Sequence, residues 1–204
     1  MNKTVIISGG SQGIGKALVK KFLQEGFAVF TCSRNKEKLD ALSAEFNTTA
    51  LHTFVADLSV KAQCQDFAGW VLGQTKSIDV LINNAGAGQT GPIADVPIDR
   101  VRHLFEVNVF GTLAITQAVL PQMVARGSGR IIIMSSVAGV MSGPSFGPYS
   151  MTKHALEAMG KALRAEIAGQ GIDVTLINPG PYNTGFNDRM ANSMWEWFDD
   201  KAVN

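Results

Sequence analysis

Cysteine, histidine and net charge are all in short supply here. The chain of 204 residues has two cysteines, three histidines and a formal net charge of +1. Cys32 and Cys64 cannot make a disulfide framework, and neither sits at metal-ligand spacing. Both read as small buried residues of a reducing compartment, and no metal site is expected. A balanced charge leaves no electrostatic footprint for nucleic acid or an anionic membrane, so neither is an expected partner. The N-terminus carries one early charge, Lys3, and a short apolar cluster, too little for a signal-peptide core. No apolar run reads as transmembrane in length, and a soluble cytoplasmic protein is the expectation. There are no repeats, no low-complexity tract and no linker.

What the chain does have is an ordinary globular balance, 46% apolar and 17% charged residues, over a length that suits one domain across 1–204. Short β-rich runs alternate with helix-like ones. Strands are expected at 5–8, 28–32, 51–56, 78–83, 130–135 and 173–178. Helices are expected at 15–25, 36–46, 60–74, 98–107, 112–126 and 149–169. Most of these strands are consecutive apolar residues, which fits strands covered on both faces. Strand–helix alternation gives a parallel sheet with right-handed crossovers, an α/β doubly wound fold.

After the first strand the chain reads Ser8-Gly9-Gly10-Ser11-Gln12-Gly13-Ile14-Gly15. In doubly wound sheets ligands bind at the carboxyl ends of strands, near the point where strand order reverses. A glycine-rich turn there lets backbone approach a diphosphate, and the helix that follows offers free N–H groups. The spacing is not G-x-G-x-x-G but G-x-x-x-G-x-G, at Gly9, Gly13 and Gly15. Tyr149 and Lys153 stand four apart and share one face of a helix. An ammonium beside a phenol favours the phenolate, so Lys153 is expected to lower the Tyr149 pKa and fit it for proton transfer. Ser135 and Ser136 close the strand "IIIMSS", and a serine hydroxyl there can hydrogen-bond a substrate oxygen rather than attack it. Residue chemistry alone does not choose between the two serines. His52, His103 and His154 have no supporting motif and read as structural or surface residues.

Taken in order, the glycine loop, Asn83-Asn84-Ala85-Gly86, Ser136, Tyr149-x-x-x-Lys153 and Asn178-Pro179-Gly180 resemble the short-chain dehydrogenase/reductase family, from Lys3 to about Thr184. The resemblance implies a single-domain Rossmann fold and hydride transfer between a nicotinamide and a carbonyl or alcohol, a carbonyl reductase in one direction. It assigns catalysis to Ser136, Tyr149 and Lys153, and to Asn108 of "VNVFG", which would support a relay water beside the lysine. It places Gly9, Ser11, Gln12, Gly13, Ile14 and Gly15 on the cofactor phosphates. Asp57 and Leu58 would lie at the adenine, Asn84, Ala85 and Gly86 along its ribose, and Pro179, Gly180 and Thr184 near the nicotinamide. A runner-up reading keeps the fold as a sensor or scaffold without turnover.

Ser33 stands where NAD-preferring members carry an acid, and Arg34 follows it. A guanidinium suits a 2′-phosphate, so NADP(H) is favoured over NAD(H); Gln12 adds no charge to the loop. The substrate side offers Val140, Met141, Phe146, Phe186, Met190 and Met194, which suits an apolar ketone or simply packs the loops. Met190, Met194, Trp197 and Phe198 fall at helical spacing within 181–204, a lid or an edge helix. The family pattern continues into a further helix and a seventh strand, whereas this sequence stops at Asn204, leaving an expected six strands with the last at an edge. Ala155, Ala158, Ala162 and Ala165 make a small-residue face on helix 149–169 that packs on its own sheet or in a homodimer or homotetramer, where the resemblance puts an interface.

Overall fold

Val5, Ile6 and Ile7 are fully buried in β1 (Thr4–Ser8), at the centre of a six-stranded sheet in the computed structural model, which describes residues 3–198. The other strands are β2 (Ala28–Ser33), β3 (Leu51–Val55), β4 (Val80–Asn83), β5 (Gly129–Met134) and β6 (Ile172–Ile177). Their spatial order is β3-β2-β1-β4-β5-β6, and every pair is parallel. The helices are α1 (Gly13–Gln24), α2 (Lys36–Phe46), α3 (Lys61–Gln74), α4 (Ile98–Phe105), α5 (Gly111–Arg126), α6 (Gly147–Glu166) and α7 (Phe186–Asn192). The chain runs outward from β1 through β2 to β3, then returns to β4 on the other side of β1. That reversal puts the crevice at the carboxyl ends of β1 and β4.

The expected continuous apolar runs are buried between two helix layers. On one face Phe67 and Val71 of α3, Ile115, Val119 and Met123 of α5 and Leu156 of α6 pack on Ile6, Leu81, Ile131 and Ile133. On the other, Val19 of α1 and Leu42 of α2 pack on Val5, Ile7, Val29 and Ile82. Each large side chain so buried stabilises the fold by about 1.5–3 kcal/mol relative to exposure. β6 departs from the expectation of two covered faces. Ile172 and Val174 are buried, while Asp173 between them is exposed and Ile177 is 39% exposed.

Several boundaries move, each for a local reason. The Ile78 amide donates to the Gln122 side chain, and the ladder of β4 begins only at Val80. α6 starts two residues before Tyr149, with Pro148 in its first turn, where a missing N–H costs nothing. The two helices expected at 98–107 and 112–126 form one continuous rod joined by a π-helical turn at Glu106–Phe110. That rod is long and apolar enough, by length and composition only, to cross a membrane; no run of that length was expected from the sequence. Its buried side is the core face just described. The segment expected as one helix through Met190, Met194 and Trp197 instead breaks into α7 and a 3₁₀ turn at Ser193–Glu196.

Candidate active site

The glycine loop is shaped by close approach. Gly9 and Gly13 have φ of +72° and +56°, in the left-handed region where glycine carries no steric penalty. A Cβ on Gly15 would sit 2.1 Å from the Gly9 carbonyl oxygen and 2.6 Å from Asn84 Nδ2. Gly15→Ala is therefore expected to lower stability by about 1–3 kcal/mol, read as a lower urea midpoint; an unchanged midpoint would mean that the loop has room to spare. The loop is also clamped from outside. Ser8 Oγ accepts from the Asn84 and Ala85 amides, both at 3.0 Å, and Asn84 Nδ2 donates to the Ser8 and Gly9 carbonyls at 2.9 and 3.2 Å. Thr31 Oγ1 accepts from the Gly10 amide at 3.0 Å and donates to the Ile7 carbonyl at 2.7 Å. Sequence reasoning missed both hydroxyls as site residues. Ser8 was visible as the residue before Gly9, whereas Thr31 becomes meaningful only in the β1–β2 register.

Gln12 at the N-cap of α1 makes no capping hydrogen bond, so the first-turn N–H groups keep their capacity for an external anion. Lys38 Nζ donates to Gln12 Oε1 at 2.6 Å, bringing an ammonium to the loop that Gln12 alone does not supply. Ser11 Oγ donates to Ser33 Oγ at 2.9 Å. Arg34 is exposed at the edge of the cavity. Burial pushes the Asp57 carboxyl up, but hydrogen bonds from Ser59 and the charges of Arg34 and His103 outweigh it and hold the carboxyl below its usual value. Ile14, Leu58, Gly86, Pro179, Gly180 and Thr184 line the same cavity. Thr184 lies over the loop, its Cβ 3.3 Å from where a Gly13 side chain would begin.

This cavity, about 720 Å³, runs from the glycine loop to Ser136, Tyr149 and Lys153. α6 carries the last two on its buried face, and Ser136 caps the 3₁₀ turn Val137–Gly139, its Oγ accepting from the Ala138 amide at 3.1 Å. Ser135 turns the other way, with Oγ directed at the Lys153 carbonyl, 3.4 Å away. Lys153 is 4% exposed, and its Nζ donates to the Met134 carbonyl at 2.8 Å. Burial pulls its pKa down to about 8. Tyr149 reverses the sequence expectation. Burial pushes its phenol above the usual value, and the opposing influence is the Ser136 side chain. The Lys153 ammonium points at a backbone carbonyl and lies 5.5 Å from the centre of the tyrosine ring, so desolvation prevails over charge.

Asn108 sits in the π-turn, fully buried; such turns gather at functional sites. Its carboxamide accepts from the Ala87 amide at 2.7 Å and donates to the Ala87 carbonyl and Thr152 Oγ1 at 2.9 and 3.0 Å. A Cβ on Gly86 would lie 3.4 Å from Asn108 Oδ1 and 3.8 Å from Lys153 Nζ, which brings the asparagine and the lysine to one glycine.

At the far end Met141, Phe146, Phe186 and Met190 line the cavity, whereas Val140 and Met194 do not. Phe186 packs against Tyr149 with ring centres 5.9 Å apart. α7 is strapped down: Thr90 Oγ1 donates to the Met190 carbonyl at 2.9 Å, and the Thr90 amide donates to Ser193 Oγ at 3.1 Å. His52 and His154 lie apart from this chemistry, and His103 bears on it through its charge on Asp57. His52 stacks on Phe30, and His154 Nδ1 pairs with the Ser150 carbonyl. Cys32 is buried under the glycine loop, its thiol pushed up to about 12 by burial.

A parallel sheet with this strand order, a glycine-cradled crevice and a buried Tyr-Lys pair beside a serine define a nucleotide-binding Rossmann architecture. The chain belongs to the short chain dehydrogenase family, whose model matches residues 3–195. The NADPH-dependent 3-dehydrocapnine reductase of Ornithobacterium rhinotracheale is 41% identical over 186 residues, a match covering 88% of this chain and 65% of that relative's length. Among solved structures, an actinorhodin polyketide ketoreductase variant with NADPH superposes with a TM-score of 0.88 at 29% identity, covering 98% of this chain and 80% of the other. A short chain dehydrogenase/reductase from Burkholderia phymatum in complex with NAD also gives 0.88, at 25% identity over 98% of this chain and 73% of its own.

Proposed function

We propose that this protein is an oxidoreductase that reduces an apolar ketone with NADPH, reversibly as an alcohol dehydrogenase. The observation that carries the reading is one cavity lined by the glycine loop at one end and by Ser136, Tyr149 and Lys153 at the other. The loop fits such a cofactor because Gly9, Gly13 and Gly15 line the cavity without side chains and the uncapped first turn of α1 begins there. Gly9, Gly13, Gly15 and the α1 N-terminus would hold the phosphates, Asp57 and Leu58 the adenine, and Thr184 and Lys153 the nicotinamide end. When bound, the nicotinamide supplies the hydride. Ser136 Oγ hydrogen-bonds the carbonyl oxygen of the substrate and polarises it. Tyr149 Oη gives that oxygen its proton. A phenol held protonated by burial suits the acid role in reduction, and Lys153 stabilises the phenolate that remains.

Met141, Phe146, Phe186 and Met190 support an apolar substrate. The exposed Ala158, Ala162 and Ala165 on α6 face away from the sheet, which supports the use of that face by a second copy of the chain.

For the cofactor, Arg34 favours a 2′-phosphate. One charge-assisted hydrogen bond is worth about 1.5–3 kcal/mol, or about tenfold to a hundredfold in affinity. Arg34→Ala is therefore expected to weaken NADPH binding by that factor while leaving NADH binding within about twofold, measured by fluorescence titration. If the NADPH/NADH ratio does not move, the NAD-preferring reading gains, and the NAD-bound neighbour is its support. A folded protein that binds neither nucleotide would sink the proposal.

A further inference from the structure

We propose that Glu157 is a positioning residue for Ser136, acting through Asn178; this rests on the reductase reading above. Glu157 is one turn beyond Lys153 on α6 and is 7% exposed. Asn178 Nδ2 donates to Glu157 Oε1 at 2.8 Å and to the Ser136 carbonyl at 3.1 Å. The Asn178 side chain thus ties the serine's own backbone to α6, the helix that carries Tyr149 and Lys153.

The direction of these bonds follows from charge. Burial raises the Glu157 carboxyl, but hydrogen bonds from Asn178, Ser135 and Lys161 and the Lys161 charge outweigh it and keep the group below its usual value. An ionised carboxylate only accepts. It therefore fixes the Asn178 amide with its NH₂ inward, which leaves the second N–H for the Ser136 carbonyl. A flipped amide would set oxygen against oxygen at Ser136. The Ser135 hydroxyl also bears on Glu157. The turn that follows packs straight onto the pair: a Cβ on Gly139 would lie 2.5 Å from Ser135 Oγ and 3.2 Å from Glu157 Cγ. The Ser136 carbonyl is held by an amide that the Glu157 carboxylate orients, and the hydroxyl that faces substrate inherits its place from that grip.

The test compares Glu157→Ala and Glu157→Gln in the whole chain. A misplacement of about 1 Å can lower turnover by about a hundredfold. Glu157→Ala is expected to lower kcat by about tenfold to a hundredfold, with the NADPH dissociation constant within about twofold. Glu157→Gln, which can still accept from Asn178, is expected to stay within about threefold of the parent. Amide hydrogen exchange reads the same grip without turnover: protection across 135–138 is expected to fall in Glu157→Ala while that of β1 holds. A folded Glu157→Ala protein with unchanged exchange at 135–138 overturns the inference, whether or not a substrate has been found. So does a kcat within twofold of the parent. If Glu157→Ala does not fold, Asn178→Ala replaces it. Adding Glu157→Gln to Asn178→Ala should then change kcat no further, and a second independent loss overturns the inference. Failure of the reductase reading itself would show differently, as a parent chain that is folded and reduces no ketone, with the exchange result still standing.

Discussion

Tyr149→Phe is expected to lower kcat for ketone reduction by about 10²- to 10⁴-fold, the range of a positioned acid–base group. The change removes one oxygen from a side chain that is 7% exposed. Packing against Phe186 is kept, and NADPH affinity is expected to stay within a few-fold. The size of the effect follows from the proton that the product alkoxide needs. Ser136 can hydrogen-bond that oxygen, but its hydroxyl is a far weaker acid than a phenol. Lys153 is directed at the Met134 carbonyl and does not replace the phenol. The measurement is steady-state kinetics beside nucleotide titration on the same protein. A parent chain that turns over ketones and a Tyr149→Phe variant that does so equally well would remove the mechanism. A parent that binds NADPH tightly and turns over nothing would favour the sensor or scaffold reading instead.

How much of this was legible beforehand depends on whether a feature is local. The glycine loop and the Tyr149–Lys153 spacing can be read because each depends on a few neighbouring residues: backbone room in one case, one helix face in the other. The alternation of apolar runs with amphipathic ones likewise fixes a parallel sheet. Residue chemistry could not tell Ser135 from Ser136, because adjacent residues at a strand end differ only in which way the backbone turns next, and the choice of Ser136 came from the family resemblance alone. In the structure the 3₁₀ turn after Ser136 decides their directions. Thr31 and Glu157 were invisible as site residues, since their partners Gly10 and Asn178 lie 21 residues away in each case. The single helix expected through Met190, Met194 and Trp197 failed differently. Its apolar spacing was helical, but the Ser193 hydroxyl donates back to the Met190 carbonyl at 2.6 Å and accepts from the Thr90 amide, and the chain tightens into a 3₁₀ turn. The direction of the Tyr149 pKa was misjudged because spacing shows a charge nearby, not how deeply both groups are buried.

Lys153→Met is expected to leave stability near pH 7 unchanged or raised by up to about 1.5 kcal/mol, while abolishing reduction. The lysine's pKa falls from 10.5 to about 8 in the folded chain, and each unit corresponds to about 1.4 kcal/mol. Burying the ammonium therefore costs about 3 kcal/mol, offset by about 1.5–3 kcal/mol from its charge-assisted hydrogen bond to the Met134 carbonyl. A net gain of about 0–1.5 kcal/mol for the methionine variant follows from these two figures. The sign is set by where the proton prefers to be. Between about pH 8 and 10.5 the unfolded chain holds the proton and the folded chain does not, so stability rises with pH across that window. The cost is complete below about pH 8 and gone above 10.5. The advantage of the variant should accordingly shrink when urea unfolding is repeated at pH 10. A parent that is the more stable of the two at pH 7 would mean that the ammonium is better compensated than its single backbone acceptor suggests. A gain in stability together with a loss of turnover has a direct reading. A charge kept at a cost beside a buried phenol is what the proposed mechanism calls for, in which the charge serves when Tyr149 gives up its proton.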